Sequence, residues 1–137
     1  MIILAFESSC DETSASVVLA SDEGFTVKSN IIASQVDTHA LYGGVVPEIA
    51  SRAHIEAISK ITYEALDTAG VTLSEIDAIA VTNGPGSYTG LRIGVTTAKT
   101  FAYTLQIPLV GINTLDVLAA SCEPQSDDTL VCPLIDA

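Results

Sequence analysis

Positive charge is scarce in this sequence: 5 Lys and Arg stand against 17 Asp and Glu, a formal net charge of −12 with both histidines neutral. A nucleic acid backbone is a dense row of negative phosphates, so that balance excludes binding driven by bulk charge. Cysteine is sparse too. Cys10, Cys122 and Cys132 are an odd number, with neither a disulfide framework nor a CxxC metal or redox motif among them, and a reducing cytoplasm is the natural setting. Long apolar runs are missing as well. The earliest, Met1 to Phe6, stops at Glu7 with no basic segment before it, too short for a signal sequence core (at least ~7 residues) or a membrane span (~20 residues).

What is present suits a folded domain. The chain has 137 residues, 48% of them hydrophobic, with a mean hydropathy of +0.46, too apolar for disorder and long enough for roughly one domain with a real core. Ile2 to Phe6 is continuously apolar, as expected of a central strand covered on both faces. Ser14 to Ala20 and Phe25 to Ala33 follow after short polar turns, predicting an antiparallel meander. From Pro47 the period changes. Ile55, Ile58, Thr62, Ala65, Leu66 and Ala69 fall at helical spacing, with Gly70 placed to cap the end.

Ile76 to Thr82 predicts a buried strand, Leu91 to Leu105 a helix stopped by Pro108, Leu109 to Ile112 a strand, and Thr114 to Cys122 a short helix capped by Asn113 or Thr114. The order βββαβαβα implies an α/β fold with a mixed five-stranded sheet and helices packed on it. Residues 1–122 are expected to form this lobe. Residues 123–137 are expected to be a linker and, from Leu130 to Ile135, the first strand of a second, truncated lobe.

Two turns attract attention for chemistry. Glu7 to Thr13 places three carboxylates and four hydroxyl or thiol groups between two strands, a set able to hold a cation through water or to contact phosphate. A charge at the end of a buried strand must find a partner or a ligand, which favours a functional reading over a solvated hairpin tip. Ser9, Cys10, Asp11 and Glu12 are therefore candidate nucleotide or phosphate contacts. Cys10 has no fixed base beside it in sequence, so a small buried residue is its expected role.

The second turn, Gly84 to Gly94, opens a helix, where glycines let backbone approach a ligand and free N–H groups favour an anion. Thr89 stands where both the P-loop and the dinucleotide fingerprint need glycine, and Ser87 follows Gly86 directly, so no nucleophile elbow is formed. Ligand contact by Gly84, Gly86 and Gly90 is thus balanced against tight packing. His39 and His54 lie fifteen apart, not a local metal spacing, and structural roles are expected of them; an internal ion pair is the expected role of Arg52.

In this order the motifs resemble one family, the TsaD (Kae, Gcp, "glycoprotease") and TsaB proteins of tRNA threonylcarbamoyladenosine synthesis. ESSCDETSASVV and SQVDTHALYGGVVPEIASRAH are similar to TsaD; GPGSYTGLRIGVTTAKTFAYTLQIPLVG and VCPLIDA are similar to TsaB. The resemblance implies an actin/Hsp70/sugar-kinase-like (ribonuclease H-like) lobe. It also implies, in the TsaD pattern, two metal-binding histidines after the strand ending IPLVG, where this chain has Thr114 and Leu118. Leucine cannot ligate a cation and threonine is a poor substitute for imidazole, so no metal site and no catalytic residue is expected.

The implied role is a TsaB-like partner of a TsaD-type transferase and a TsaE-type ATPase. ATP and a divalent metal would enter through that complex, tRNA only indirectly, and a homodimer would form in its absence. The first helix and the helix bearing Arg92, Gly94, Ala98 and Ala102 are the expected partner interface, small residues allowing two helices to approach. The alternatives are a divergent TsaD-type transferase, favoured by Asp11, Glu12, His39 and His54, or a generic ATP-binding lobe. A protease role lacks both HExxH and a serine triad order.

Overall fold

The computed structural model describes residues 1–34, 47–123, 126 and 128–135. Three strands open the chain: β1 (Ile2–Glu7), β2 (Thr13–Ser21) and β3 (Gly24–Ala33). They pair antiparallel as the short polar turns between them require, with Leu4 opposite Val17 and Ala15 opposite Ile31. Helix α1 (Pro47–Ala69) and a single 3-10 turn (Leu73–Glu75) lead into β4 (Ala78–Gly84), which pairs parallel with β1. Helix α2 (Tyr88–Leu105) crosses to β5 (Leu109–Asn113), parallel to β4, and α3 (Thr114–Ala120) follows. The sheet order is β3-β2-β1-β4-β5, which puts the apolar β1 at its centre.

Helices α1 and α2 cover one face of the sheet and α3 lies against β4 and β5. Alternation along the strands sends Leu4 and Phe6 of β1 and Ala15 and Val17 of β2 into a core with Ile58, Ile61, Ala65 and Leu66 of α1 and Ala98 and Ala102 of α2. Phe6 stacks on Phe101 with ring centroids 5.9 Å apart. The end of α1 is as the sequence suggests: Val71 N–H donates to Leu66 O and Gly70 N–H to Asp67 O, closing the helix on a glycine with positive φ. Asn113 caps α3, its Oδ1 accepting from Leu115 N–H at 2.8 Å.

Three details go beyond what the sequence pattern specifies. Ile55 shares the helical spacing of the core positions but is 56% exposed, because it lies beside a groove between α1 and α2. Among the described residues, Leu130 to Ile135 pairs with no strand, and Leu130 and Leu134 are exposed. An apolar run becomes a strand only where a partner edge satisfies its backbone, which composition cannot reveal. The 3-10 turn was not foreseen. Its signal was Thr72 followed three residues later by Glu75, whose Oε2 accepts from the Thr72 N–H and hydroxyl, each at 2.7 Å.

Candidate functional site

The site is built around the turn between β1 and β2. Glu7 ends β1 half-buried, and its Oε1 accepts from the Ser9 N–H at 2.7 Å and from the Thr82 hydroxyl at 3.2 Å. Those are the partners its position demands, and both come from the protein. Ser8 and Ser9 are buried, whereas Cys10 is exposed, contrary to the expectation of a buried thiol. The reason is that the two serines are pressed under α2 and the tip of the turn projects beyond them.

The first turns of α2 explain why so many glycines follow β4. A Cβ on Gly90 would sit well inside contact of the Ser8 carbonyl oxygen, and one on Gly94 would meet the Ser8 hydroxyl. Gly86 has the same relation to the Ser9 carbonyl. Close approach lets the Ser8 hydroxyl donate to Gly90 O at 2.9 Å and the Ser87 N–H donate to Ser9 O at 2.7 Å. The balance left open by the sequence therefore falls on packing at Gly90, which is buried with its N–H turned to the Ser87 cap.

The glycine and alanine stripe of α2 packs inward. Gly94, Ala98 and Ala102 are buried against the chain's own turn and core. A small-residue stripe permits close approach without saying to what. On the same helix Arg92 does face outward. Its guanidinium stacks over the Tyr88 ring, 5.2 Å from the centroid, and Nη1 donates to the Tyr88 hydroxyl at 3.3 Å.

Two cavities flank this assembly. One, of about 630 Å³, is lined by Ser9, Cys10, Asp11, Gly86 and Ser87 together with Leu115 and residues 133–135. The turn and the glycine loop are thus brought together as a candidate ligand site. Glu12 does not line it, and Gly84 lines a neighbouring open groove with Asn83, Lys99 and Asn113. The other cavity, of about 530 Å³, lies between α1 and α2 and is lined by Ser51, Ile55, Ile58, Tyr88, Arg92 and their neighbours. It was not legible in the sequence, since Ile55 obeys the same period as the core.

His54 is buried on α1, with Nδ1 2.6 Å from the Thr13 hydroxyl. His39 lies outside the described residues. The TsaD-pattern metal does not fit here: Leu118 carries no donor atom, and the buried Thr114 hydroxyl makes no hydrogen bond among the described residues. No group of three His, Cys, Asp or Glu side chains among the described residues is placed to hold a metal ion. Also among them, no helix is long and apolar enough to cross a membrane.

A strand order of 3-2-1-4-5, with three antiparallel strands followed by two parallel ones, defines a ribonuclease H-like, actin-like lobe. Solved structures share it. RuvC from Thermus thermophilus matches over 88% of this chain and 68% of its own with a TM-score of 0.52 at 8% identity, a likeness of fold alone. YeaZ from Pseudomonas aeruginosa matches with a TM-score of 0.64 and 26% identity, covering 87% of this chain and 48% of that one.

The family model for TsaD, tRNA N6-adenosine threonylcarbamoyltransferase, matches residues 26–137, and the chain belongs to that family. The protein of that description from Geotalea uraniireducens is 54% identical over 116 residues, 85% of this chain and 33% of the relative. The one from Clostridium perfringens is 57% identical over 115 residues, 84% and 33%. This chain spans about a third of the length of the curated relatives it matches.

Proposed function

We propose that this chain is the lobe of a TsaB-like, non-catalytic partner subunit in tRNA N6-threonylcarbamoyladenosine modification, working in the cytoplasm with a TsaD-type transferase and a TsaE-type ATPase. The observation that carries the reading is the pair Thr114 and Leu118, which offers no imidazole where the TsaD pattern has two. The likeness to YeaZ, a TsaB-type protein, supports it. So does the groove between α1 and α2, where exposed Ile55 and Tyr88 sit beside Arg92: an aromatic and a guanidinium around an apolar depression are the usual composition of a protein contact.

The partner surface is placed on this groove and on Arg92, with Gly94, Ala98 and Ala102 left out. Without the transferase the same groove is proposed to bring two copies together as a homodimer. Residues 1–122 are proposed as the lobe and 123–137 as the link to a second one. ATP and a divalent metal are proposed to act through the complex, and tRNA to be reached only through it. Co-purification with a TsaD-type transferase in near-equal amount, weakened by Arg92→Glu, is the expected result. Recovery of the protein alone in the presence of that transferase overturns the proposal.

A second reading is a divergent TsaD-type transferase, favoured by identities above 50% to relatives of that description and by the cavity lined by Ser9, Cys10 and Asp11. Stoichiometric iron or zinc, lost on mutating His39 or His54, separates it from the first.

A further inference from the structure

The Ser8 to Thr13 turn is held at both ends by different helices. At its start, the Ser8 hydroxyl and the Ser9 carbonyl are bonded to Gly90 and Ser87 at the beginning of α2. At its close, the Thr13 hydroxyl is bonded to His54 Nδ1 of α1 at 2.6 Å, with Thr13 wholly buried and His54 2% exposed. These helices are also the two walls of the 530 Å³ groove: Ser51 and Ile58, one turn to either side of His54, line one wall, and Tyr88 and Thr89, beside Ser87, line the other. The turn itself lines the 630 Å³ cavity.

We infer that His54 is a positioning residue: through Thr13 it fixes the Ser8 to Thr13 turn against the start of α2, and so couples the groove between the helices to the cavity lined by Ser9, Cys10 and Asp11. The physical basis is the cost of parting two buried polar groups. A hydroxyl and an imidazole with no access to water cannot exchange their bond for hydration, so a displacement of α1 carries Thr13 with it. At the other end of the turn the glycine face of α2 leaves no free space, so the displacement reaches Ser87. These contacts all lie within the chain, so the coupling holds whichever partner fills the groove.

The test is amide hydrogen exchange, read by NMR on the whole chain, comparing Thr13→Val, Thr13→Ser and His54→Leu with the parent. The informative amides are Ser9, bonded to Glu7, and Ser87, bonded to Ser9. With the buried bond lost, both are expected to exchange about tenfold faster relative to Leu4 and Val17 in the core strands. Thr13→Ser keeps the hydroxyl and is expected to restore parental rates. The double variant Thr13→Val/His54→Leu is expected to add nothing at Ser87. His54 has a further contact of its own, so Thr13→Val, nearly the same shape as threonine, carries the test if His54→Leu fails to fold. A merely structural bond gives the opposite pattern: Ser9 and Ser87 change only in step with Leu4 and Val17. That result, or acceleration at Ser9 with none at Ser87, overturns the coupling.

Discussion

Replacing a glycine inside a helix by alanine ordinarily stabilises it by about 1 kcal/mol. Gly90 and Gly94 reverse that sign, because the space for a Cβ is occupied by Ser8. Each alanine variant is expected to lose about 1–3 kcal/mol, measured by denaturant unfolding, as overpacked sites do. The two differ in how they can be rescued. Gly94 meets the Ser8 hydroxyl, so adding Ser8→Ala to Gly94→Ala is expected to recover part of the loss; Gly90 meets the Ser8 backbone oxygen, which no side-chain change removes. Equal rescue of both would contradict the packing described. At this scale the sequence was half legible: it marked the glycines as positions of close approach, yet could not name Ser8, 82 residues from Gly90, as what approaches.

Glu75 titrates below the ordinary glutamate range, chiefly because the Thr72 backbone N–H and then its hydroxyl donate to the carboxylate. A lowered pKa in the folded state contributes stability above the unfolded value that is lost as pH falls through the folded one. NMR titration of Glu75 is expected to show the low value, and Thr72→Ala to return it only partway, since the backbone donor stays.

Among elements, α2 is the most informative, because its two faces have separate tasks. Its inner face, Gly90, Gly94, Ala98 and Ala102, is buried; its outer face presents Tyr88 and Arg92 to the groove shared with α1. Substitutions should separate accordingly. Ala98→Leu, at a fully buried site, is expected to lower the melting temperature by several degrees, equivalent to about 1–3 kcal/mol of overpacking. Ile55→Asp and Arg92→Glu are expected to weaken capture of the transferase at least tenfold while the melting temperature stays nearly constant. Loss of capture by Ala98→Leu at full stability would place the partner on the wrong face.

Element types were legible because local signals agreed with the fold: the continuous run of β1, the 3.6-residue period of α1, Gly70 after its last turn and Pro108 after α2. The face of α2 that meets the sheet was not, since glycine and alanine suit either neighbour. Nor was the state of Leu130 to Ile135, which depends on a pairing edge elsewhere in space.

For the molecule as a whole, the mixed sheet and the family were legible from strand order and motif strings. The two cavities were not, because each joins residues from distant segments: Ser9 with Gly86 and Pro133 in one, Ser51 with Tyr88 in the other. The net charge of −12 bears on partners at this scale, since it opposes direct attraction to tRNA and gives any basic surface of a protein partner a salt-sensitive approach. Weakening of the complex between 50 and 500 mM salt is the expected outcome in a binding titration, and salt-independent binding would assign the contact to apolar burial alone.

The central claim is that catalysis lies in the partner. It is tested most directly by threonylcarbamoyl transfer to tRNA, measured with the protein at its native length, first alone and then with a TsaD-type transferase and a TsaE-type ATPase. No transfer by the protein alone, and transfer by the mixture that falls when Arg92→Glu replaces the parent, is the predicted result. Transfer by the protein alone, above the background of a Ser9→Ala/Asp11→Asn variant, would contradict it and return the cavity beside Cys10 to the role of an active site.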